Sequence, residues 1–151
     1  MGNADEWAKS LGAEMQATQK GELDAHGRVA MQRGIAAEQF PLLWQEVCVQ
    51  FTEHCKAYND QLKPERTLAL LMHNANSFNI RPDALPDIVN GEYHADTQRI
   101  KIETYSGAEW YLPQVVLEGT GQAILVSHSS KKHITPVDIA RVTLHRAIMG
   151  K

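Results

Sequence analysis

Three residues at alternate positions, Glu92, His94 and Asp96, carry the most suggestive chemistry in the chain. In an extended strand, side chains two apart share a face, so these three would form a carboxylate–histidine–carboxylate group. Such a group can hold a divalent metal or relay a proton. The same segment also reads as one arm of a hairpin. Pairing His94 with Arg99 sets Glu92 opposite Lys101, Tyr93 opposite Ile100 and Val89 opposite Thr104. Each face is then chemically consistent, with Asp96 in the turn. The solvated-face reading is the stronger, because this register supplies the carboxylates with their own counter-charges.

The other metal-type residues lack ligand spacing. No His–His, His–Cys or Cys–Cys pair lies three or four residues apart, the separation that brings ligands together on a helix. Cys48 and Cys55 are seven apart, about 10 Å along a helix, whereas a disulfide needs Cα atoms within about 7 Å. Both fall in an apolar stripe, where a thiol packs as a small hydrophobe. The chain carries no Gly-x-Ser-x-Gly, no Gly-x-x-x-x-Gly-Lys-Ser/Thr and no Gly-x-Gly-x-x-Gly. No catalytic residue, metal or cofactor is therefore assigned, and a non-enzymatic role is favoured over an enzymatic one.

Recognition has a better candidate. The run from Ser127 to His133 joins three serines, two lysines and two histidines in a loop that leads into a helix N-terminus. Backbone N–H groups there favour anions. Lys131, Lys132 and His133, with Arg141 and Arg146 on the following helix, form the expected site for an anion or an acidic partner. Nucleic acid is possible but not favoured, since no aromatics interleave with the two lysines and the chain's net charge is −3. Tyr105, Trp110 and Tyr111 cluster between two expected hairpins, with Trp110 and Tyr111 pointing to opposite faces of a strand. A ligand cup between sheet and long helix would draw its polar groups from His94, Tyr105 and His128.

The elements that must position these residues follow from periodicity. Phe40, Trp44, Val47, Cys48, Phe51, Cys55, Tyr58 and Leu62 share one helical face, predicting an amphipathic helix over 38–61, with Pro41 near its start. Leu42 and Val49 lie nearly opposite that stripe. Residues 1–35 form a weakly helical N-terminal arm, interrupted by Gly12, Gly21, Gly27 and Gly34, with an apolar stripe of Trp7, Leu11 and Met15. The segment from Glu65 to His73 suits either a short helix or a buried strand. Beyond Ser77 the period becomes two, and a second hairpin joins Trp110–Leu117 to Gln122–His128 through Glu118, Gly119, Thr120 and Gly121. Its two faces are both apolar, which predicts a place near the sheet centre or cover on both sides. A last helix opens with Thr135 as N-cap, Pro136 at its first position and Asp138 in its first turn. One face carries Val137, Ala140, Leu144 and Ile148, and another Ile139, Val142 and Met149.

The fold class is α+β: N-terminal helices, an antiparallel meander of four to five strands, and a C-terminal helix in two layers. Residues 36–151 form the domain proper. At 151 residues and 43% hydrophobic content the chain can build a core without metal or disulfide staples. Its near-neutral total conceals a division, because residues 1–127 carry 17 acids and 10 bases while 128–151 carry 1 acid and 5 bases. The acidic N-terminus, the lack of an apolar run near 20 residues and the unpaired cysteines point to the cytoplasm and away from membranes. Surplus apolar helix surface suggests a self-associating interaction or regulatory module, a homo-oligomer or the partner of another protein. The alternative is a small-molecule-binding or enzymatic cup.

Overall fold

The computed structural model describes residues 2–62, 67–83, 85–116 and 121–150; within the first helix, side chains are described for 3–17 and 26–61. One helix, α1 (Gly2–Leu62), precedes seven strands: β1 (Leu68–Asn74), β2 (Ser77–Pro82), β3 (Val89–His94), β4 (Arg99–Thr104), β5 (Gly107–Val116), β6 (Gln122–Ser127) and β7 (His133–Ile134). A second helix, α2 (Pro136–Met149), closes the chain. The strands pair antiparallel in chain order, a pure meander. The fold is thus α+β, with seven strands where four to five were expected. The segment that periodicity left open is strand β1, with Glu65 outside the described residues.

The chain divides into two compact units, Met1–Gly34 and Ile35–Lys151. In the first, α1 is unbroken where one or two weak helices were expected. Every described side chain from 3–17 and 26–31 is exposed. Trp7, Leu11, Met15, Val29 and Met31 are the large apolar ones. Leu11 and Val29 are 18 residues apart, about five whole turns, so Val29 shares the face of the Trp7–Leu11–Met15 stripe.

In the second unit α1 runs through Pro41 instead of beginning there. A proline inside a helix costs about 3 kcal/mol. The offset comes from packing on both sides of it, for Ala36 and Phe40 before it and Trp44, Val47, Phe51 and Cys55 after it are all buried. Burying one such large side chain is worth about 1.5–3 kcal/mol. Trp44 stacks between Phe78 and Tyr93, with ring centroids 5.7 Å from each, and donates its indole N–H to the Ala75 carbonyl at 2.8 Å. Phe51 meets Phe78 at 5.1 Å. Leu42 and Val49 stay exposed.

Two side-chain amides of α1 tie down the rims of the sheet. The Asn59 amide accepts from Leu68 N at 2.7 Å and donates to Leu68 O at 3.0 Å, taking both main-chain groups that Leu68 turns outward at the edge. Gln39 accepts from Ala123 N at 2.7 Å, on the part of β6 that β7 leaves unpaired. Twenty residues separate Gln39 from Asn59, about 30 Å of helix, against about 24 Å for the five strand spacings from β1 to β6. The helix therefore crosses the strands and spans the sheet.

Phe78, Ile80, Val89, Ile100, Ile102, Tyr111 and Leu125 project from the sheet into one core with α1 and α2. Both helices thus lie on one face, in two layers. The hairpin of β3 and β4 has the expected register throughout, His94 opposite Arg99 to Val89 opposite Thr104. The second hairpin is also present, with Val116 paired to Gln122 and Leu112 to Val126, while its turn at 117–120 lies outside the described residues. It is not central, since β5 and β6 stand fifth and sixth of seven. Its apolar outward residues Leu112, Ile124 and Val126 are half-buried on the face opposite the helices.

In α2 the Thr135 hydroxyl accepts from Asp138 N at 3.2 Å, and Gly150 closes the helix in a left-handed conformation. The buried stripe is Ile139, Ala140, Thr143, Leu144 and Ala147. Ile139 thus joins the core, because 139, 143 and 147 stack at one-turn spacing. Only Val142 and Met149 of its expected patch are exposed.

Candidate functional site

The serine-rich loop binds an anion, and the anion is the protein's own. Glu109 on β5 points to the helix-bearing side of the sheet, in the same row as Ile102. Its Oε1 accepts from the Ser127 hydroxyl at 2.5 Å, the Ser129 hydroxyl at 2.9 Å and the Ser129 N–H at 3.1 Å. Desolvation pushes this carboxyl upward, but the Ser127 and Ser129 hydrogen bonds and the nearby His128 outweigh it and hold the group below the ordinary glutamate range. The loop's remaining amides turn inward as well: Lys131 N donates to Ser127 O at 2.9 Å and Ser130 N to Ser127 Oγ at 3.4 Å. Lys131 itself takes a left-handed backbone, φ 60°, to close this turn.

Around Glu109 lie two adjoining clefts between β5 and α2, of about 200 and 350 Å3. They share Glu109, Tyr111, Val142 and Arg146. Tyr111 is buried, and its phenol is pushed up to about 12 by desolvation first and by the Glu109 charge second, with Arg146 and a Thr143 hydrogen bond opposing. Of the five expected anion-binding residues, Lys132, His133 and Arg146 line the larger cleft. Arg141 instead borders a shallow depression with His145 on α2, and Lys131 is exposed on the loop.

His94, Tyr105 and His128 share none of these clefts. His94 lies on the opposite face of the sheet, its ring 5.4 Å from Trp110. Tyr105 is exposed in the β4–β5 turn and donates to the Arg146 carbonyl at 3.1 Å. His128 is exposed and donates its backbone N–H to Trp110 O at 2.8 Å. Of the aromatic trio it is Tyr111, the inward-pointing member, that lines a cleft.

The Glu92–His94–Asp96 group resolves into a surface pair and a turn residue. His94 Nε2 meets Glu92 Oε2 at 3.0 Å, and Asp96 accepts from Thr97 N at 3.0 Å. Lys101 faces Glu92 in register, yet its ammonium pairs with Glu103 at 3.4 Å. Lys101 and Arg99 also lie over the Trp110 ring, at 5.7 and 6.0 Å from its centroid. Among the described residues no group of three His, Cys, Asp or Glu side chains is arranged to hold a metal ion. Cys48 and Cys55 are free thiols, each pushed up to about 11 by burial, so neither is a thiolate at neutral pH.

Glu109 is the residue that sequence reasoning missed. Its signal was the alternation that aims Tyr111 inward, which aims Glu109 inward too. Comparison of the chain with protein-family profiles, with curated proteins and with solved structures finds no match. Among the described residues no helix is long and apolar enough to cross a membrane.

Proposed function

We propose that the protein is a non-enzymatic interaction module that pairs with a second copy of itself through the helix of residues 2–34. The observation that carries this reading is the exposure of Trp7, Leu11, Met15 and Val29 along one face of α1. An isolated helix holding Gly12, Gly21, Gly27 and Gly34 gives up about 1 kcal/mol at each. Helical stability in proteins comes mostly from packing an amphipathic face, so this segment needs a partner surface. Sequence charge argues that the partner is another copy in antiparallel orientation. Asp5 and Glu6 stand at one end and Arg28 and Arg33 at the other, and antiparallel pairing brings opposite charges together where parallel pairing stacks like on like. Antiparallel pairing also lays Trp7 near Val29 across a two-fold axis close to Thr18. A cytoplasmic location accords with the two free thiols.

The test is a charge exchange read by sedimentation velocity. Reversing Arg28→Glu and Arg33→Glu should weaken association about tenfold, and adding Asp5→Lys and Glu6→Lys to the same chain should restore it. A reversed chain that associates as tightly as the parent contradicts antiparallel pairing.

A further inference from the structure

The two clefts beside α2 are lined by charged groups that make no ion pair among the described residues. All three hydrogen bonds to Glu109 fall on Oε1, and Oε2 has none among the described residues. Arg146 lines both clefts, and its guanidinium makes no ion pair among the described residues; the ion pairs present are Glu92–His94 and Lys101–Glu103. Lys132 adds a second cation to the larger cleft and Asp138 a second carboxylate, neither of them in an ion pair among the described residues. An ionised carboxylate and a guanidinium thus flank one small space without meeting each other.

From this arrangement we propose that the cleft is a binding site for a small zwitterion. A primary ammonium sits on Glu109 Oε2, and a carboxylate is held by Arg146 with Lys132 beside it. The chemistry is selective in both directions. A ligand with only an amine leaves the guanidinium without an anion, and a ligand with only a carboxylate meets the Glu109 charge. Charge-assisted hydrogen bonds of this kind are about twice as strong as neutral ones. Val142 and Ile102 offer an apolar wall for the carbon chain between the two ends. A space of about 200 Å3 suits a molecule of amino-acid size, and the adjoining 350 Å3 leaves room for a longer one. The serine loop keeps Glu109 fixed and ionised, so the site is pre-organised before any ligand arrives. The site does not depend on residues 2–34.

The probes are the ω-amino acids from glycine to aminohexanoate, titrated into the full chain and followed by amide chemical shifts. Butylamine and butyrate serve as half-molecules. The expected result is saturable binding by at least one chain length, with shifts on β5, the Ser127–His133 loop and α2, and about tenfold weaker binding of either half-molecule. Glu109→Gln and Arg146→Gln should each lower the affinity of the zwitterion by a similar factor. The proposal is overturned if no member of the series binds at millimolar concentration, or if a half-molecule binds as tightly as the zwitterion. It is equally overturned if both variants bind like the parent. The comparison of whole and half-molecules uses the unmodified chain, and so is independent of how the variants fold.

Discussion

Replacing Asn59 with alanine strips the cap from the sheet edge at β1. Leu68 faces Pro82 across the β1–β2 ladder, and proline has no N–H to give. The neighbouring Thr67–Asp83 pair bonds through Asp83 N to Thr67 O at 3.1 Å, so alternation turns both main-chain groups of Leu68 outward. Asn59 satisfies them at 2.7 and 3.0 Å. Leu68 is buried, and its N–H would be left without a partner. A net hydrogen bond contributes about 0.5–1.5 kcal/mol, and an unsatisfied buried group costs about 1–3 kcal/mol. Asn59→Ala should therefore destabilise by about 2–3 kcal/mol. Asn59→Asp keeps the acceptor for Leu68 N and loses the donor to Leu68 O, so about half that loss is expected. Urea unfolding followed by tryptophan fluorescence reads both, with the denaturant slope unchanged. A loss below about 0.5 kcal/mol for the alanine variant would refute the reasoning, because it would mean that water replaces the amide at no cost.

Three further outcomes follow from the core and the cleft. An alanine Cβ at Gly91 would overlap three ring carbons of Phe78, itself fixed against Trp44 and Phe51; Gly91→Ala should cost about 1–3 kcal/mol in urea unfolding. Tyr111 is raised from 10.0 to about 12 in the fold, so its stabilising neutral form is fully present below pH 10 and lost as pH rises through 12. Relative to Tyr111→Phe, the parent should lose about 2 kcal/mol between those pH values, and parallel curves would exclude the cause given. Glu109 titrates below its ordinary 4.5, so its contribution holds above that value and fades as pH falls through the lower folded pKa. Acid unfolding of Glu109→Gln should show a shallower decline than the parent, and an identical profile would contradict the role assigned to Ser127 and Ser129.

What the sequence made legible was local. Period-two alternation with a consistent cross-strand face located the β3–β4 hairpin to the residue, because a one-residue slip would have set Tyr93 and Ile100 on different faces. The Thr135–Pro136–Asp138 cap was equally plain. Pro41 misled, since a proline favours a helix start only where packing does not require the helix to continue, and here Ala36 and Phe40 are already buried. The site was half legible. Lys132, His133 and Arg146 belong to one cleft, but Glu109 lies 18 residues from Ser127 and 20 from Ser129 in the chain. That pairing depends on the register of β5 against β6 and cannot be read from either segment alone. The hydroxyls and amide of Ser127 and Ser129 in that loop are turned onto Glu109 of the same chain.

Self-association through residues 2–34 is the claim on which the functional reading stands, and mass in solution tests it most directly. Sedimentation equilibrium of the full chain should give twice the 16.9 kDa chain mass at high concentration, falling toward 16.9 kDa on dilution. Leu11→Glu and Met15→Glu together, on the exposed face of the helix, should hold the chain at the single mass throughout. A parent chain that stays at 16.9 kDa at every concentration would contradict the account.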